Sequence, residues 1–319
     1  MEEILKKKYL IKYLATMDNE IVIVSPDYTK KNKMRIYKNG GLYGKIAHRD
    51  KSKNLKSELM TKEYAKYCSN ESKLKEFINS ANNEEDIIET FYKKEYLELA
   101  KEALNNKWKK EKDDRLKERN IETKIMRKFM KYNNGFITID MEMACPKKWF
   151  QDMIKDSEIK NIKEKLEYKN GKLTLIPRFD IISFSNEGIG IIELKVDNEN
   201  TENISSHYAH MKYILNDKNA KISFLNEIKR RLYYLKKYEL VNEKIINKYE
   251  NEIFENQKIW CGFLFVGGER KEIIEKIVTE LGNYEDINKI KFMYCSNFEE
   301  IDFSKWLTYK SFIDERGMK

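Results

Sequence analysis

Residues 176–196 read Ile-Pro-Arg-Phe-Asp180-Ile-Ile-Ser-Phe-Ser-Asn-Glu-Gly-Ile-Gly-Ile-Ile-Glu193-Leu-Lys195-Val. Two apolar runs, rich in β-branched and aromatic residues, flank the polar turn Ser185-Asn186-Glu187-Gly188, which is the pattern of a β-hairpin. Centring the turn between Asn186 and Glu187 sets the register: Phe184 faces Ile189, Ile182 faces Ile191, and Asp180 faces Glu193. Side chains opposed in this way have Cβ atoms roughly 4.5–5.5 Å apart, and like charges placed there repel. Both strands are apolar on their two faces, as strands covered on both sides are. Two carboxylates are therefore brought together inside a largely apolar sheet, which is costly while they stay unneutralised. A hard divalent cation relieves that cost, because such ions take carboxylate oxygens. Lys195 lies two residues past Glu193, on the same face by strand alternation.

Asp180 followed by a strand ending in Glu193-Leu-Lys195 resembles the signature of the PD-(D/E)xK nuclease superfamily. The likeness covers the hairpin and, more loosely, residues from about Glu111 to Met293. The resemblance implies an α/β fold with a mixed central sheet flanked by helices, a restriction-endonuclease-like core. It implies that Asp180 and Glu193 hold Mg²⁺ or Mn²⁺ and that Lys195 orients or activates the attacking water. A further acid then comes from the first core strand or the helix before it, with Glu142 preferred, then Asp140, and Glu122 as the helical alternative. The chain departs from the family at Arg178-Phe179, which precede Asp180 in place of a proline, with Pro177 nearby. Glu-x-Lys alone carries little weight, since it recurs at Glu122/Lys124 and Glu227/Lys229. Only Glu193/Lys195 ends an apolar strand with an acid in register across a turn.

Length and charge frame this reading. At 319 residues the chain has room for one large domain or two small ones, expected as an N-terminal α+β region over 1–110 and a nuclease-like domain over 111–319 with a helical insertion at about 218–257. The excess of 62 Lys and Arg over 53 Asp and Glu gives a net charge of +9, which suits a polyanionic partner but is spread along the chain. Cys68, Cys145, Cys261 and Cys295 are too scattered for a zinc or iron–sulfur motif. Reduced thiols and a cytoplasmic setting are the expectation. The first residues, Met-Glu-Glu-Ile-Leu-Lys-Lys-Lys, lack the apolar region of a signal peptide, and no apolar run is long enough to cross a bilayer, so a membrane role is not expected.

Along the chain, 34–37 and 42–47 form a hairpin about Lys38-Asn-Gly-Gly41. Ser57–Ser80 and Glu84–Arg119 read as helices, the second opening on Glu84-Glu85-Asp86, as a helix dipole favours. Phe136–Met143 is a strand that alternation divides into Thr138, Asp140 and Glu142 on one side and the apolar residues on the other. Residues 146–168 read as an insertion, and 205–215 as a helix carrying His207 and His210 on one face. The resemblance places that helix beside the site and makes both histidines secondary candidates. The segment 221–238 interleaves basic and aromatic residues, and Lys229, Arg230, Arg231 and Tyr234 are its candidate nucleic-acid contacts. Residues 259–266 and 291–295 read as strands around a helix at 271–281, and 304–319 as a peripheral helical tail.

The expected function is metal-dependent hydrolysis of phosphodiester bonds in nucleic acid, with DNA the favoured polymer and restriction, repair or phage defence the setting. A homodimer or a partner protein is compatible with it. The alternative is a nuclease-like module that binds nucleic acid or a protein without cleaving.

Overall fold

A computed structural model of the chain describes residues 10–11, 13–14, 21–24, 33–38, 41–47, 57–110, 114–130, 135–144, 168–169, 172–173, 178–197 and 204–314. The chain divides into two compact units: Met1–Lys131 with Arg231–Glu243, and Tyr132–Arg230 with Lys244–Lys319. The expected boundary near residue 110 thus meets a first unit that runs on to Lys131, and the helical segment 218–257 is shared between the two. Residues 146–167, read from the sequence as an insertion, lie outside the described residues.

The first unit carries an antiparallel sheet in the order β1 (Ile21–Val24), β2 (Lys33–Lys38), β3 (Gly41–Ala47), β4 (Glu58–Leu59). The β2–β3 hairpin closes with Lys38 opposite Gly41. Residues 58–59 are extended where a helix was expected. Edge pairing wins there: Glu58 joins β3 and accepts hydrogen bonds from Lys45 on β3 and from Lys33 on β2 beyond it. Helices α1 (Glu71–Ser80), α2 (Glu84–Tyr92), α3 (Lys94–Lys110) and α4 (Asp114–Met130) complete the unit. Asn83 and Asp86 form a reciprocal capping box at the start of α2. Tyr43, Leu74, Phe91 and Tyr96 lie in the core.

The second unit is built on strands β5 (Phe136–Ala144), β8 (Arg178–Ser185), β9 (Gly188–Val196), β10 (Ile259–Val266), β11 (Ile290–Cys295) and β12 (Leu307–Thr308). A small ribbon, β6 (Tyr168–Lys169) with β7 (Lys172–Leu173), stands apart from that sheet. The sheet order is β12-β11-β10-β9-β8-β5. β5, β8 and β9 are antiparallel neighbours, whereas β10 runs parallel to both β9 and β11. The parallel connection from β9 to β10 passes through helices α5 (Ile204–Asn216), α6 (Lys218–Lys237) and α7 (Glu243–Glu255), and that from β10 to β11 through α8 (Arg270–Leu281). The result is a mixed sheet flanked by helices. All nine residues of β9 are buried, which explains the apolar residues 189–192 on both of its faces.

Two expectations fail in this unit. The β5–β8 register shifts between Thr138 and Asp140: Thr138 pairs with Ser183, but Asp140 pairs with Ile182, leaving Ile139 as an extra residue. Strict alternation assumes no β-bulge, so Thr138 does not share the register parity of Asp140 and Glu142. The tail is not peripheral either. After β12, helix α9 (Tyr309–Asp314) buries Phe312 completely against Phe265 and Phe292.

Candidate functional site

The hairpin forms in the expected register. Asn186 and Glu187 make the two-residue turn, with Ser185 opposite Gly188, Phe184 opposite Ile189 and Ile182 opposite Ile191. Gly188 has φ 129°, outside the range open to most side chains. Ile181 pairs with Ile192, so the next step of the ladder puts Asp180 opposite Glu193. Backbone and side chain meet here as well: the Leu194 N–H donates to Asp180 Oδ2 at 2.7 Å.

Glu193 is 1 % exposed and Lys195 5 %, while Asp180 keeps partial contact with solvent. On the side away from Asp180 the acid and the lysine have aromatic neighbours, since Glu193 pairs with Phe263 and Lys195 with Phe265 in β10. Lys195 Nζ donates to Glu193 Oε1 at 2.7 Å. Helix α5 brings His207 Nδ1 to 2.9 Å from that same oxygen, although the approach is not aligned as a hydrogen bond. Glu193 Oε2 is buried as well, and the carboxyl of Asp180 lies within hydrogen-bond reach of Glu193.

Electrostatics follows from this crowding. Burial first and the Glu193 charge second push the Asp180 carboxyl well above the usual carboxylate range, against smaller opposing effects from Lys195 and the Leu194 N–H. Burial also raises Glu193, but Lys195 opposes it through both charge and hydrogen bond. In the metal-free pair the proton therefore belongs to Asp180 and the negative charge to Glu193. His207 is held well below the ordinary imidazole value by burial and then by Lys195; His210, 6.0 Å away ring to ring, is held down by burial and then by His207. Both rings are neutral near pH 7.

The structure thus brings together Asp180, Glu193, Lys195 and His207, with His210 beside them. The acids of β5 have partners of their own. Glu142 and Asp140 are buried on β5; Asp140 Oδ1 accepts from the Met141 N–H, and Glu142 Oε2 accepts from Arg178 Nη1 at 3.1 Å. Glu122 is buried on α4, in the first unit. Among the described residues no group of three or more His, Cys, Asp or Glu side chains is close enough to share an ion.

The basic segment on α6 is more divided than its sequence suggests. Lys229 is exposed, with its ammonium over the Phe254 ring. Arg230 is engaged by Glu227 through Nε at 2.9 Å and Nη2 at 2.6 Å. Arg231 is fully buried and out of reach of a polymer, which corrects its assignment as a contact. Tyr234 packs on the core of the first unit. Arg178, in sequence only a departure from the family motif, reaches Glu142. Its place two residues before Asp180 was the available signal.

Cys68, Cys261 and Cys295 are buried and form no disulfide among the described residues. Among the described residues no helix is long and apolar enough to cross a membrane. Comparison of the chain with protein-family models, curated proteins and solved structures finds no match.

Proposed function

We propose that the chain is a metal-dependent nuclease of the PD-(D/E)xK type, built on a restriction-endonuclease-like core and hydrolysing phosphodiester bonds of nucleic acid, DNA foremost. One observation carries the reading: two carboxylates on adjacent strands of the hairpin face each other, one of them buried outright, and share a proton in place of a cation. A donor set of carboxylate oxygens fits Mg²⁺ or Mn²⁺, and Mg²⁺ in particular takes one or two carboxylates and completes its shell with water and substrate phosphate.

Asp180 and Glu193 would hold the ion, and Glu142 or Asp140 would extend the set. When bound, the metal supplies a water acidic enough to attack near neutral pH and stabilises charge on the phosphate. The protein's own contributions follow from its contacts. Lys195, anchored on Glu193 Oε1, orients the attacking water and offsets negative charge developing at phosphorus. The Leu194 N–H fixes one oxygen of Asp180, so the acid presents the other. His207, neutral and beside Glu193 Oε1, closes one side of that carboxylate. Lys229 and the net charge of +9 attract the polyanion.

The test is incubation of the full chain with linear, circular and single-stranded DNA, and with RNA, with and without Mn²⁺. Asp180→Ala and Lys195→Ala each abolish the metal-dependent cleavage; undiminished cleavage by both would remove these residues from the mechanism. A second reading, a module that binds without cutting, is favoured by the absence of a third acid from the described group. It requires polynucleotide binding without turnover and no Mn²⁺ binding that depends on Glu193.

A further inference from the structure

Glu142 is in register with the acid pair but engaged elsewhere. Met141 pairs with Ile181 and Met143 with Phe179, so Glu142 stands across from Asp180, which in turn stands across from Glu193. Its side chain is 9 % exposed and is held by the guanidinium of Arg178, itself 43 % exposed. The backbone at Glu142 is left-handed, with φ 49°, a conformation that costs a non-glycine residue and that persists where the surroundings over-determine it. A nearly buried acid, strained, aligned with two other acids and tied to a cation that reaches the surface, sits between two partners.

We propose that Arg178 is a built-in competitor for the metal: its guanidinium occupies Glu142 until substrate arrives and then moves to a phosphodiester of the substrate, releasing Glu142 to join Asp180 and Glu193. This rests on the reading of that pair as a metal site. The exchange is chemically matched, because a guanidinium fork recognises phosphate as well as carboxylate. No covalent bond changes; one ion pair replaces another. The consequence is coupling: substrate tightens metal binding, and metal tightens substrate binding by the same factor.

The experiment titrates Mn²⁺ calorimetrically into the full-chain wild type and into Glu193→Gln, Arg178→Ala, Arg178→Lys, Glu142→Gln and Arg178→Ala/Glu142→Gln. Arg178→Ala is expected to bind Mn²⁺ at least threefold more tightly than wild type, with Arg178→Lys in between. That gain should vanish when Glu142 is already glutamine. In parallel, anisotropy of a labelled phosphorothioate DNA duplex should show Mn²⁺ strengthening binding in wild type, and less so in Arg178→Ala. A gain that persists in the Glu142→Gln background would reduce Arg178 to a nearby charge and overturn the proposal, as would unchanged or weaker Mn²⁺ binding by Arg178→Ala. If wild type binds Mn²⁺ through Glu193 and Arg178→Ala binds it equally, the metal site stands and only the competitor falls. If no variant binds Mn²⁺, both fall.

Discussion

Leu194 donates its backbone N–H to Asp180 Oδ2 at 2.7 Å, so the strand that carries Glu193 also fixes the acid opposite it. One oxygen of each carboxylate is thereby occupied: Asp180 Oδ2 by Leu194, and Glu193 Oε1 by Lys195. What remains between them needs a proton or a cation. Without metal the proton sits on Asp180, whose pKa is raised by burial and by Glu193. A group whose folded pKa is raised gives stability that is full below its unfolded value, about 3.9 for aspartate, and that is lost as pH rises through the folded value. The Tm of EDTA-treated protein should therefore fall as pH rises from acid towards pH 8, and saturating Mn²⁺ should flatten that decline by displacing the proton. An EDTA curve that climbs over this range would contradict the assignment.

Asp180→Asn keeps an acceptor for the Leu194 N–H and removes one of two facing charges. In EDTA at pH 8 its stability should match or exceed wild type by up to about 1 kcal/mol, while the thermal shift produced by Mn²⁺ disappears. Differential scanning fluorimetry reads both.

Lys195→Met removes the buried cation that anchors Glu193, leaving a buried charge without its main partner. Losses of this kind run to about 3–5 kcal/mol. Urea denaturation should show such a loss at pH 7 and a smaller one at pH 5, where the acids take up protons instead.

Arg231 and Lys229 should separate cleanly. Arg231→Ala, at a fully buried position, should cost about 2 kcal/mol or more in stability. Lys229→Ala, at an exposed one, should change stability by no more than about 0.5 kcal/mol but weaken polynucleotide binding, and reduce its salt dependence. Equal effects of the two on affinity, in folded protein, would count against this division.

Phe312 is the test of the tail. Its ring is buried between Phe265 and Phe292, and Phe312→Ala should cost about 3–5 kcal/mol by chemical denaturation, where a peripheral helix would show almost nothing.

The hairpin was legible in the sequence because two things agreed: a two-residue turn fixed the register, and apolar faces on both strands left no alternative that kept Asp180 from Glu193. Strands β10 and β11 were legible for the same reason, as short apolar runs bounded by turns. What escaped was set by distant chain. The side chain of Arg231 looks solvated in a run of basic residues, yet it is buried. Glu58 and Leu59 look helical, yet pairing with β3 holds them extended. Glu142 was recognised as an acid near the site, but its engagement by Arg178, 36 residues away, follows only from strand pairing.

The extra residue at Ile139 acts on the sheet as a phase shift acts on a wave. Upstream of it, β5 pairs by one rule, Phe136 with Ser185 and Thr138 with Ser183; downstream it pairs by another, Met141 with Ile181 and Met143 with Phe179. Had the first rule continued, Glu142 would have come to lie across from Phe179, on the reverse side from Asp180. The bulge, and not the acids alone, sets the side of the sheet on which Glu142 meets Asp180: drawing Ile139 into the ladder would leave every acid in the chain and yet turn Glu142 to the reverse face.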